Sequence, residues 1–190
     1  MGCTSLQGAS IPNSVTIIGG SAFAGCTSLK EIPSDLFKYC NNAIGFAGTF
    51  VECTSLTTIP EELFADCPNA VNFNSTFVAC RSLTTISEEL FANCPNVVDF
   101  SYTFRDCTSL TSIPQKLFDN CQKVESFYDT FYNCTNLTGK PIELWTRGTN
   151  NAENEYQGNP DGAGCYYNCT GLEGYETIPN YWKRMELNPD

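Results

Sequence analysis

Twelve cysteines are the residues most able to do chemistry in this chain, and their spacing decides what chemistry that is. Ten fall at 3, 26, 40, 53, 67, 80, 94, 107, 121 and 134. After a first step of 23, the intervals alternate 14 and 13. Equivalent cysteines such as Cys53, Cys80 and Cys107 then recur at one fixed period, as they do along stacked turns of chain. Neighbouring turns stack about 4.8 Å apart. A disulfide needs Cβ atoms about 3.8 Å apart and a narrow dihedral, and each column would have to choose partners arbitrarily. The spacing therefore predicts a buried ladder of thiols, each S–H serving a backbone carbonyl where the coil turns. Zinc is poorly supported: Cys165 and Cys169 are the one close pair and have no second pair at ligand spacing. Cys165 stands where the repeat otherwise places Thr49, Thr76, Thr103 and Thr130. It reads as a stray buried residue, a free thiol or a disulfide partner.

Histidine is absent. That removes Ser-His-Asp and Cys-His nucleophilic sites and every imidazole ligand or general base. The carboxylates Asp35, Glu62 and Glu89 share one column, which continues as Lys116. Such a column is a solvated acidic face or a weak cation site, although it lacks the clustered oxygen loop of a calcium site. A glycosidase-like acid pair needs a cleft, and a regular coil stack offers none. No catalytic residue, no metal ligand and no cofactor site is assigned.

The elements that position these residues are coils. Cys53–Ala79 and Cys107–Asn133 are near copies, and such self-similarity means a solenoid whose turns touch only their neighbours. The coils run 3–25, 26–52, 53–79, 80–106, 107–133 and 134–168, and a C-terminal cap spans 169–190. The solenoid domain is thus 1–168, with a polar loop inserted at 146–164. Every phenylalanine lies in one of three columns, headed by Phe23, Phe37 and Phe46, and leucine and isoleucine columns accompany them. Each buried side chain is worth roughly 1.5–3 kcal/mol, so stacked coils share a core that no single coil can form. Ser-Leu-Thr-Thr-Ile reads as a strand. After it, Pro60 and Glu61–Ala65 read as a short helical turn. Residues 70–73 read as a second, weaker strand. The expected fold is a right-handed repeat solenoid of six coils, each of about 23–27 residues. Two short parallel β-ladders and short helical turns are expected within it.

Coil 3–25 resembles the BspA-like (Treponema-type) leucine-rich repeat: leucine, Ile-Pro, Val-x-x-Ile, Ala-Phe, then the next cysteine. Val97, Phe100, Thr103, Phe104 and Cys107 match the second half of that motif, and the longer coils carry a short insertion. The resemblance covers Cys3 to about Leu144. It implies a bacterial cell-surface or secreted protein without enzymatic activity, acting in adhesion to host matrix or to other cells.

Net charge is −11. An acidic chain lacks the basic footprint of a nucleic-acid binder, and no apolar run is long enough to span a membrane. Met1-Gly2 leads straight into a repeat with no N-terminal cap, which predicts a piece of a longer chain. Eight of nine tyrosines lie from Tyr102 onward. They seal the solenoid's end or form a binding patch, for which Tyr102, Tyr128, Tyr132 and Tyr156 are the candidates. Ile44, Val71 and Val98 form an alternative apolar row that ends at Glu125. The expected function is recognition of a host or cell-surface protein. The alternatives are a structural spacer within a larger surface protein and a carbohydrate-binding module.

Overall fold

The computed structural model describes residues 3, 5, 6, 9, 11–18, 20–147 and 160–184. Within these the chain winds as a stack of similar coils. The three phenylalanine columns run through it as parallel ring stacks. Phe46, Phe73, Phe100 and Phe127 stack with centroids 5.2, 5.6 and 5.9 Å apart. Phe50, Phe77, Phe104 and Phe131 do the same at 5.5, 5.7 and 5.6 Å. The third column, Phe37 to Phe118, packs edge-on or tilted against the first, with Phe64 and Phe73 4.7 Å apart. Parallel stacking within a column and inclined contact between columns is the arrangement that ring quadrupoles favour.

Hydrogen bonding between coils is concentrated in the second half of each repeat. Single parallel bridges join Ile17, Gly45, Asn72, Asp99, Ser126 and Asp161 in turn. Beyond each bridge, alternate amides reach the next coil. Phe73, Ser75, Phe77 and Ala79 donate to the carbonyls of Asp99, Ser101, Thr103 and Arg105 at 2.8–2.9 Å. The intervening amides close turns within their own coil, as Thr76 does onto Phe73 at 3.1 Å. This alternation needs two left-handed residues per coil. One set is Ser21, Gly48, Ser75, Tyr102, Asp129 and Gly164; the other is Gly25, Glu52, Ala79, Asp106, Asn133 and Asn168. Most are not glycine, so strain is stored in every turn and held by the stack.

The first half of the repeat corrects the expected strand. Ser-Leu-Thr-Thr-Ile forms no strand. It makes a single inter-coil amide bond per coil, such as Thr84 to the Thr57 carbonyl at 3.2 Å, doubled by the Thr84 hydroxyl at 3.3 Å. Pro33, Pro60 and Pro114 follow directly and have no N–H with which to extend a ladder. The expected helical turn at 61–65 is likewise a run of separate turns. Leu63 bonds to Pro60, Ala65 to Glu62 and Cys67 to Phe64, without consecutive helical bonds. Among the described residues helix is confined to the C-terminal end: 3₁₀ turns at Leu144–Thr146 and Tyr175–Thr177, and α1, Asn180–Lys183.

The last coil regains register at Asp161, which bridges to Ser126. Asp161–Gly164, read from sequence as part of the inserted loop, therefore lie in the coil stack. Gly162 takes the position that Phe46, Phe73, Phe100 and Phe127 hold above it. A Cβ there would stand 2.2 Å from the Trp182 ring, so the indole fills the space of the missing phenyl ring. Trp182 is buried and lies near Trp145 and Tyr166.

Candidate binding surface

The periodic thiols point inward. Cys53, Cys80 and Cys107 Sγ each lie 3.3 Å from the carbonyls of Phe23, Phe50 and Phe77, and Cys134 lies 3.1 Å from that of Phe104. All twelve cysteines are free, and all but Cys3 are buried. Burial pushes the Cys53, Cys67, Cys107 and Cys121 thiols up to about 12. Such thiols supply neither nucleophile nor metal ligand near neutrality. Cys165 is buried in the threonine column, where Thr76, Thr103 and Thr130 hydroxyls each lie near two carbonyls. Asp35, Glu62, Glu89 and Lys116 are all exposed. No group of three or more acids or cysteines is placed to hold a metal ion among the described residues.

The outer side of the hydrogen-bonded half is the surface with chemical character. Tyr102 occupies a left-handed position, with φ +60°. A bulky residue rarely adopts that conformation, and it turns the side chain outward beside Tyr128. The two rings meet edge to face at 5.2 Å. One step around the turn, Tyr132 stacks on Tyr167 at 4.6 Å. Arg105 lies between these pairs, its guanidinium 4.1 Å from the Tyr132 ring and 5.6 Å from the Tyr102 ring. A guanidinium over an aromatic face is attracted by the ring quadrupole. Arg105 also pairs with Asp129, and more loosely with Asp106 at 3.6 Å. Beside them Asn168 donates to Asn133, and Asn133 to Asp106, each at 2.7 Å. Burial raises the Tyr102 and Tyr132 hydroxyls, so both are neutral near pH 7.

Three of the four tyrosines singled out in the sequence thus come together; Tyr156 lies outside the described residues. Arg105, Asp129 and Tyr167 complete the cluster and escaped the sequence reading. Periodicity gave no signal for the two charges: Arg105 is the one charged residue in the column of Val51, Val78, Tyr132 and Tyr167, and Asp129 is likewise alone in its own. Ile44, Val71 and Val98 immediately precede the bridged Gly45, Asn72 and Asp99 and form an outward row. Ile44 is 44% exposed, and Ile17, 64% exposed, stands beside the row in the bridged column, paired with Gly45. No described helix is long and apolar enough to cross a membrane.

Comparison with known proteins agrees with the repeat. Residues 1–125 match the model of the BspA type leucine rich repeat region in six copies. The structure is similar to that of a T. pallidum leucine-rich-repeat protein, at 21% identity over 93% of this chain and 72% of that one, TM-score 0.41. It is also similar to a chain of the Toll–Spatzle complex of Drosophila, at 18% identity over 86% of this chain and 22% of that one, TM-score 0.42. A leucine-rich-repeat protein of Bacteroides ovatus is 19% identical over 86% of this chain and 52% of that one, TM-score 0.30. No curated protein matches the chain. Leucine-rich repeats typically mediate protein–protein interaction and are generally non-enzymatic. With six tandem matches covering coils that the structure stacks one on another, the chain belongs to the BspA-type leucine-rich-repeat family.

Proposed function

We propose that this chain is a non-enzymatic binding module, displayed at a cell surface or secreted, that recognises a protein ligand through the tyrosine face of its C-terminal coils. The observation that carries this reading is the convergence of Tyr102, Tyr128, Tyr132 and Tyr167 around Arg105. Tyrosine and arginine supply large contact area and directional polar groups together, and they are enriched at interface hot spots. The rings hold one another, so little conformational entropy is lost when a partner docks. Host extracellular matrix and other cell surfaces are the ligand classes to try first. The segment inserted in the last coil, with Tyr156, is the next part of the chain to vary in binding tests, because loops on rigid scaffolds commonly carry recognition.

The exposed Ile44, continuing into Val71 and Val98 with the exposed Ile17 beside it, favours a second contact along the apolar row. A panel of matrix proteins, cell-surface proteins and glycans would be screened by surface plasmon resonance. Alanine at Tyr102, Tyr128 and Tyr132 is expected to weaken binding to a protein ligand by about 2 kcal/mol or more for a hot-spot ring. Loss of binding only when Ile44, Val71 and Val98 become serine would move the site to the apolar row. Binding restricted to glycans would favour the carbohydrate reading, and an unresponsive parent protein would favour the spacer.

A further inference from the structure

Asp129 is a buried carboxylate in a place where the repeat does not require one. Its column otherwise holds Ser21, Gly48, Ser75, Tyr102 and Gly164, and Asp129 is only 3% exposed. One oxygen, Oδ2, accepts from Arg105. The other, Oδ1, is buried without a hydrogen-bond partner among the described residues. It faces Gly164, where a Cβ would lie 2.2 Å from Oδ1 and 3.2 Å from the Arg184 carbonyl oxygen. Such a group is unusual, because a buried charge is ordinarily satisfied on both oxygens.

The surroundings set two opposing demands. Arg105 stabilises the charged form. Asp106 in the preceding coil and Asp161 in the following one oppose it, and the neutral Tyr102 and Tyr132 rings and Cys165 thiol lie close by. Arg105 has a second partner in reach, Asp106 at 3.6 Å, and its side chain is 30% exposed. It can therefore leave Asp129 without losing every counter-charge. We propose that Asp129 and Arg105 form a proton-controlled latch on the tyrosine face. The ionised carboxylate holds the guanidinium between Tyr102 and Tyr132; the protonated carboxyl releases it toward Asp106 and solvent, and the face loses its arrangement. The latch rests on the reading of this face as the contact surface, whose regulation it supplies.

The electrostatics agree in direction. Burial raises Asp129 to about 6, with Arg105 pulling it down and Asp106 and Asp161 pushing it up. This folded value lies above the unfolded one, about 3.9. The folded state therefore binds the extra proton between these values. The contribution to stability is fully present below about pH 4 and is lost as pH rises through about 6.

The test is a carbon-13 NMR titration of the carboxyl groups in the whole chain, with Arg105 side-chain and tyrosine ring resonances followed in parallel. The expected result is an Asp129 midpoint of about 6 that the Arg105, Tyr102 and Tyr132 resonances share. Asp129→Asn should abolish that shared transition and flatten the dependence of melting temperature on pH over the same range. Arg105→Ala, which leaves the carboxyl group in place, should raise the midpoint and serves if the first variant does not fold. An Asp129 midpoint below about 4.5, or ring resonances that do not move with it, would overturn the latch. No ligand enters this measurement, so the latch and the binding reading can fail separately.

Discussion

The interior coils and the closing coil solve one packing problem in different ways. From Cys53 to Asn133 each ring meets its own counterpart one repeat away, and the core is supplied by the neighbouring coils. In the closing coil the repeat fails: Lys140 is exposed where an isoleucine is due, and Gly162 stands where a phenylalanine is due. Other residues make up the loss. Ile142 is buried in the apolar layer, Tyr166 extends the Phe131 column, and Trp182 returns from the cap to cover Gly162. Interior packing is thus a property of the repeat, whereas terminal packing depends on one returning side chain.

Breaking the interior should cost most. Phe77→Ala removes a fully buried ring that has identical neighbours above and below, and no residue is free to fill the gap. A loss of about 3–5 kcal/mol is expected from denaturant midpoints at unchanged slope. A loss under about 1 kcal/mol would contradict the ring column.

Trp182→Ala should cost less, about 2–3 kcal/mol, because an end coil can collapse or open locally. Hydrogen exchange should show the loss confined to residues after Cys134. Adding Gly162→Phe in that background sharpens the comparison. A phenylalanine in register with Phe127 should recover part of the lost stability, and no recovery would mean that the closing coil is not a true repeat.

The smallest effect is expected from the thiols. Cys80→Ala, which keeps the column apolar, should cost about 1–2 kcal/mol. Cys53, Cys67, Cys80, Cys94 and Cys107 should all resist alkylation near neutral pH until the chain is denatured, as mass spectrometry would show. Native disulfides among them would break the thiol ladder.

The sequence reading and the structure part company where propensity misleads. Thr57, Thr58 and Ile59 have the composition of a strand, yet the spine runs through Gly45, Asn72 and Asp99. Strand propensity measures how side chains fit a pleated surface. Here the spine depends on left-handed residues such as Glu52, Ala79 and Asp106, whose types do not announce that conformation. At the candidate site, Tyr102, Tyr128 and Tyr132 were legible because tyrosine crowds one end of the chain. Arg105 and Asp129 were not, since each is an isolated charge in its own column.

By itself, the sequence determined the period, the three ring columns and the inward thiols. Stacking repeats one environment at every turn, so a residue type that recurs reports its surroundings directly. Tertiary structure alone decided which half of the coil carries the hydrogen bonds, which residue fills the slot above Gly162, and that Arg105 stands between two tyrosines over a buried carboxylate. These features depend on how a turn is wound and on contacts between dissimilar residues, and no period records them.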